Sequence, residues 1–383
     1  MSHRQVHHRA PRRARILVAE ALRRTGLLRL WMWLNRKRIT ILTLHGTMQM
    51  DETCSWRPLR EQYPPSRLED ALAILARHYR FVSLEDAAEM VAGRKPVRPY
   101  SIAVTFDDGY RNNLTHALPV LRKHNAPATI FLTTGHVEEQ RPFWCDRLDY
   151  ALQQVSMQGR EVVVGGRRLQ PRGSSREDLA EFYAEIRATA KNAALDDEQM
   201  RSELECLAAK LERESGVALR DALQQDAWAA VLLWEDARQA ASDPMLEFGS
   251  HTVDHVLLRR TSEEDAVRQL RESKRAVEEN LGKDCRYLAY PNGSYDASIA
   301  KLVRECGYEA AVTSDSGTVK AGHDLFSLPR ISLGVHETPA DLLATVSGLW
   351  SVVALSRGRL AKLRRRVPTP MHSGGKSTWP VSA

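Results

Sequence analysis

Two carboxylates and a glycine, Asp107-Asp108-Gly109, follow directly on the run Ser101-Ile102-Ala103-Val104-Thr105-Phe106. An apolar run that stops at an acidic pair predicts a buried strand pushing two carboxylates into one cleft. Like charges that close need compensation by a shared proton or a cation, and a cation needs further ligands. A polar turn before a helix starting near Asn113 accounts for the same residues equally well. Far downstream, Phe248-Gly249-Ser250-His251-Thr252-Val253-Asp254-His255 again runs from apolar into polar residues. Two imidazoles four apart on a helical turn face the same way, and imidazole with carboxylate is the usual ligand set for zinc and related divalent metals. One Asp with two His leaves a coordination position for water, as a catalytic metal requires. Surface histidines fall at this spacing by chance. The weight comes from DDG and HTxxH each closing a predicted strand.

The pair resembles the first two motifs of the NodB-homology polysaccharide deacetylases, carbohydrate esterase family four, over roughly residues 39 to 335. The resemblance implies that Asp107 is the catalytic base, and that Asp108, His251 and His255 hold one divalent metal, zinc foremost. The reaction it implies is metal-assisted hydrolysis of N-acetyl groups on a GlcNAc-type polysaccharide or glycan precursor. Thr40-Ile41-Leu42-Thr43-Leu44-His45 reads as a buried strand ending in a histidine, and on residue type alone a satisfied core histidine is the favoured reading. The family reverses that preference. Its LxH motif, whose His is the catalytic acid, lies near the C-terminus in most members but comes first in the subgroup resembling biofilm poly-N-acetylglucosamine deacetylases. Leu42-Thr43-Leu44-His45 resembles that permuted strand, which makes His45 the acid and His336 the next candidate.

The match has gaps. Leu288-Ala289-Tyr290-Pro291-Asn292-Gly293 lacks the Arg that usually orients the base, and Arg330, in Leu328-Pro329-Arg330, is the candidate replacement. No Asp-rich motif followed by Trp tunes the acid, and Asp315 is a weak substitute. Substrate and oxyanion contacts are assigned to Tyr110, Pro291 and Asn292, with a backbone N–H at Asn292 as the oxyanion donor.

These residues need strands to carry them. Strands near residues 40, 102, 128, 247, 287, 311 and 330 alternate with helical patterns at Ser66–Tyr79, Leu84–Val91, Asn113–His124, Trp234–Ala241, Ser262–Leu281 and Tyr295–Cys306. Thr261 and Glu264 stand in capping-box spacing before the longest helix. This rhythm predicts an α/β fold with parallel strands, and seven units are one short of the usual closed barrel. The family's distorted (β/α)7 barrel matches that count. Between about residues 150 and 228 the rhythm breaks into a Gly165-Gly166 hairpin and three charged helical stretches, read as a mostly helical insertion. A turn leads to Phe143-Trp144, a pair suited either to stacking on sugar or to burial against helices.

The chain has 383 residues, 43% of them hydrophobic, and a formal charge of +7 that is unevenly spread. Residues 1–38 hold eleven Arg and Lys against Glu20 alone, and residues 353–383 hold seven with no acid, so the part between carries −10. Residues 1–15 are expected to be disordered, Ile16–Asn35 to form a basic amphipathic helix, and the tail from 353 to be disordered. The deacetylase domain then spans 39–352. An apolar helix through Leu349 and Trp350 precedes the tail's Arg cluster, a second candidate contact with an anionic membrane surface. A helix packed on the domain is the competing reading of Ile16–Asn35. Basic charge confined to the ends, without a recognition motif, argues against a nucleic-acid partner. Five scattered cysteines, without CxxC spacing, suit a reducing compartment. With no apolar run near the roughly 18 residues of a membrane span and no clear signal peptide, a cytoplasmic enzyme, peripheral on the inner membrane, is expected. Two other functions fit the same motifs: a deacylase of a lipid-linked sugar at the inner membrane face, and a non-catalytic glycan-binding module.

Overall fold

The runs Thr40–Leu44, Ser101–Phe106 and Ala128–Leu132 are short, rich in β-branched or apolar residues and buried along their whole length, as parallel strands covered on both sides are. A computed structural model describes residues 12–48, 56–60, 62–193, 196–223, 228–336 and 338–356. The His-rich start (His3, His7, His8) and the basic tail from residue 357 lie outside the described residues.

In chain order the elements are α1 Arg12–Arg24, α2 Leu27–Leu34, β1 Thr40–Leu44, α3 Pro65–Ala76, β2 Arg80–Phe81, α4 Leu84–Val91 and β3 Ser101–Phe106. A π-helical turn, Asn113–Ala117, runs into α5 Leu118–Lys123, followed by β4 Ala128–Leu132, α6 Thr134–Glu139 and α7 Trp144–Gln154. The hairpin β5 Val162–Val164 and β6 Arg167–Leu169 precedes α8 Arg176–Asn192, α9 Asp197–Ser215 and α10 Leu219–Ala222. Then come α11 Trp234–Ala241, β7 Leu246–Ser250, α12 Glu263–Leu281, β8 Tyr287–Ala289, α13 Ala297–Glu305, β9 Ala310–Ser316, β10 Leu328–Ser332, α14 Pro339–Val346 and α15 Leu349–Ser356.

Seven parallel strands close a barrel in the order β1-β10-β9-β8-β7-β4-β3, with β3 returning to β1 in the register Leu42↔Val104. The short β2 pairs with the first residues of β3, before β4 takes over at Val104. Alternation along the strands sorts side chains into two cores. Ile41, Ala103, Phe131, Ala289 and Val312 point inward and meet α4, whereas Leu42, Val104, Ile130 and Leu132 point outward under the helices. Burying one such side chain contributes about 1.5–3 kcal/mol.

Several local expectations are corrected. Ile16–Asn35 is two helices, broken at Gly26, whose φ of 77° ends a helix readily. Arg12–Arg15, expected in a disordered start, belong to α1. This helix packs on α14: Ala19 is buried, and Arg15 donates to Thr345 Oγ1 and Asp341 Oδ1. The cap of α12 is Ser262, whose Oγ accepts from Asp265 N, and not Thr261. The segment before Phe143, expected as a turn, contains α6. The insertion's core begins before residue 150, since Leu148, Ala151 and Leu152 of α7 pack with Phe182, Ile186, Leu204 and Leu211.

Candidate metal centre

At the end of β3 the Asp107 N–H donates to Leu44 O, 3.0 Å away, which anchors the first carboxylate to the neighbouring strand. The chain then turns through two left-handed residues, Asp108 at φ 76° and Gly109 at φ 81°. A Cβ on Gly109 would lie 2.9 Å from Leu132 Cδ2, so only glycine fits against β4. A left-handed Asp is strained, and strain of this kind gathers at functional sites.

The second motif is corrected in detail. His251 and His255 are not one helical turn apart but lie on the loop after β7, where Thr252 at φ 66° and His255 at φ 55° fold the chain back. Gln269 of α12 holds that loop: its Oε1 accepts from Val253 N and Asp254 N, and its Nε2 donates to Asp254 Oδ2. The outcome is convergence, with His251 Nε2 and His255 Nε2 each 3.6 Å from Asp108 Oδ1.

The protons available leave this trio unsatisfied. His251 Nδ1 lies 2.7 Å from Ala289 O. A carbonyl only accepts, so Nδ1 carries a proton, which leaves Nε2 as the atom turned toward Asp108. Burial, reinforced by the neighbouring His251, His136, Lys191 and His45, holds His255 well below the usual imidazole range, so the His255 ring is neutral. Asp108 Oδ1 is buried without a hydrogen-bond partner. Three acceptors whose ligating atoms lie within 4.8 Å of one another fit a divalent cation.

Beside this trio Asp107 is paired differently. Arg330 Nη1 and Nη2 donate to Asp107 Oδ1 and Oδ2, while its Nε donates to Thr313 O and Nη1 also to Thr105 Oγ1. Burial pushes the Asp107 carboxyl upward, but the Arg330 charge outweighs it, helped by His251, the Arg330 hydrogen bonds and His45, and holds it well below the usual range. His45 is exposed at the C-terminal end of β1, near enough for its charge to act on both Asp107 and His255.

The remaining expected residues lie around this centre. Tyr110 is buried with its hydroxyl donated to Asp146 Oδ2. Pro291 is buried, and Asn292, exposed at φ 51°, accepts at Oδ1 from Lys191 Nζ of the insertion. Phe143 is buried between Tyr110, His136 and His255, which favours burial over stacking on sugar. Asp315 accepts from Tyr295 Oη, and His336 Nδ1 lies 2.9 Å from Asp341 Oδ2.

Sequence reasoning missed Asp146, which Arg60 and Tyr110 both reach, and Asp149, which accepts the Leu59 N–H. Burial pushes Asp149 up to about 6. Two carboxylates three apart on the apolar face of α7 were the available signal. His136, held down to about 4 by burial, and Lys191 left none.

Comparison with known proteins follows the same line. The family model described as polysaccharide deacetylase matches residues 94–311. YxkH of Bacillus subtilis, named for the same family, is 18% identical over 256 residues, 66% of this chain, which spans only 58% of that relative's length. A Streptococcus pyogenes deacetylase, PplD, solved in complex with acetate, superposes with a TM-score of 0.52 at 19% identity, covering 81% of this chain and 98% of its own. IcaB from Ammonifex degensii gives 0.50 at 16% identity, with 81% and 97% covered.

Proposed function

The chain belongs to the polysaccharide deacetylase family, and from that premise we propose that it hydrolyses N-acetyl groups of an amino-sugar glycan at the Asp108, His251, His255 centre. The observation that carries the reading is the trio of buried acceptors beside a separate carboxylate locked by Arg330. A dead scaffold kept only for binding sugar has no need of that arrangement. The acetate bound to the Streptococcus pyogenes relative fits the expected product.

A divalent metal bound there, zinc foremost, would supply a Lewis acid that lowers the pKa of water and polarises the acyl carbonyl. Asp107, kept ionised and aimed by Arg330, takes a proton from the water as its oxygen bonds to the acyl carbon. His45 gives a proton to the amide nitrogen as the carbon–nitrogen bond breaks, and acetate and a free amine leave. The developing oxyanion is served by main-chain N–H groups at Tyr110 and Asn292. Pro291 has no N–H and shapes the turn. Acetate release from acetylated amino-sugar oligosaccharides, lost on chelation and restored by zinc, tests the reading; full activity in chelator overturns it.

A lipid-linked sugar at the inner membrane face is favoured by one observation. Of the twelve large apolar side chains exposed among the described residues, nine belong to α1, α2 and α15 or flank them, including Leu17, Leu30, Trp33 and Leu355. These helices pack together: Arg15 lies over the Trp350 ring, and Trp31 Nε1 donates to Ser347 O. Arg23, Arg24, Arg29 and Arg36 lie along the same helices, a composition suited to an anionic surface. Among the described residues no single helix is long and apolar enough to cross a membrane; α14 and α15, bent by 65°, pass on length and composition only as a pair. The four described cysteines are free, which suits a cytoplasmic setting.

A further inference from the structure

Three cations meet beside the metal centre without a counterion among the described residues. Lys191, on the last turn of α8, donates to Asn292 Oδ1 at 2.7 Å, and Arg260, between His255 and α12, donates from Nη2 to Lys191 O at 2.6 Å. Arg187, one turn earlier on α8, lies over the Tyr183 ring. All three are half-buried. Arg187 Nε and Arg260 Nη1 are buried atoms without a hydrogen-bond partner, and none of the three pairs with a described carboxylate.

Asp107 is engaged by Arg330, Asp146 by Arg60, Asp254 by Arg141, Asp296 by Arg259 and Asp197 by Arg201, while Asp108, which acts on Lys191, belongs to the trio with His251 and His255. Burial, with Arg187 next, lowers the Lys191 ammonium to about 8. Asp108 acts electrostatically on Lys191 and Lys191 on His255, which puts Lys191 beside the metal ligands. Half-buried like charges with free donors are costly unless a ligand brings negative charge, and guanidinium groups match oxyanions geometrically.

We propose that Arg187, Lys191 and Arg260 form an anion subsite, so that the substrate carries a carboxylate or phosphate close to its acetylated amino sugar. The subsite follows from the cations themselves; its assignment to the substrate rests on the deacetylase reading. It also gives the helical insertion a task, since two of the three residues come from α8.

Calorimetric titration of the zinc-loaded full chain tests it with three probes: an N-acetylglucosamine tetrasaccharide, a tetrasaccharide alternating N-acetylglucosamine with glucuronate, and N-acetylglucosamine 1-phosphate. An acidic probe should bind about tenfold or more tighter than the neutral one, the equivalent of one charge-assisted hydrogen bond. Which acidic probe gains identifies carboxylate or phosphate as the group read. The preference should shrink in R187M/K191M and in the milder K191Q, which keeps a donor to Asn292, and should fall with added salt. Equal affinity for all three probes, or a preference that survives in both variants, overturns the subsite. Acetate release is measured alongside. Its absence from every probe counts against the deacetylase reading, while the binding preference still decides the subsite.

Discussion

Arg330 and Asp107 meet through two parallel hydrogen bonds of 2.7 and 2.6 Å, with only 2% and 4% of each residue exposed. A guanidinium fork matched to a carboxylate fixes both the charge and the direction of that carboxylate.

Removing that fork should shift the acidic side of the pH–rate profile. Asp107 is depressed in the folded chain, so its charge stabilises the fold above the unfolded carboxylate value of about 3.9, and this contribution is lost only as pH falls through the lower folded value. In Arg330→Met, burial is opposed only by the smaller influences of His251 and His45, and the acidic limb should move up by about one unit or more. Stability at neutral pH should drop by roughly 3–5 kcal/mol in urea titrations, because a buried charge loses its partner. Arg330→Lys should recover part of the profile. An unchanged limb in Arg330→Met would remove Arg330 from the role.

The full chain should hold about one divalent metal, since three ligands with an open side make a single site. His251→Ala and His255→Ala should each lower metal content, and the double variant should bind none by elemental analysis. Normal occupancy in the double variant contradicts the ligand set.

Asp107→Asn should keep its metal and lose roughly 10²-fold or more in turnover, as removal of a general base does. His45→Ala should behave alike. If His45→Ala releases acetate normally, His336, already oriented by Asp341, becomes the acid to examine.

Membrane attachment needs a test that leaves the helices folded, because α1 packs on α14 and deleting it would expose the domain. Replacing Leu30, Trp33 and Leu355 with serine removes exposed apolar surface and leaves the buried Ala19 of α1 and Leu28 and Met32 of α2 in place. The parent should float with anionic but not neutral vesicles and come off at high salt, since each engaged Lys or Arg contributes about 1 kcal/mol. The triple variant should stay in solution. Flotation of the variant to the same extent, or of the parent with neutral vesicles, counts against this surface.

Elements built from neighbours in sequence were legible in the sequence. The strand Ala128–Leu132 and the helices Leu84–Val91 and Trp234–Ala241 agree with expectation residue for residue, because apolar period and capping act over a few residues. The seven strands, the Gly165-Gly166 hairpin and the two motifs that carry Asp108, His251 and His255 were visible for the same reason. What holds the site together was not. Arg330 and Asp107 are 223 residues apart, and Lys191 and Asn292 are 101 apart. Gln269 grips a loop that local pattern had made a helix, and Asp146 waits for Arg60 from another segment. Barrel closure of β1 on β3 brings His45 to the mouth beside Asp107, and the packing of α8 against α7 and α9 carries Lys191 over it. Local residues determine which strand or helix forms. Which charges end up facing one another is decided only when distant elements pack, since a buried ionisable group must find its partner wherever the fold provides one.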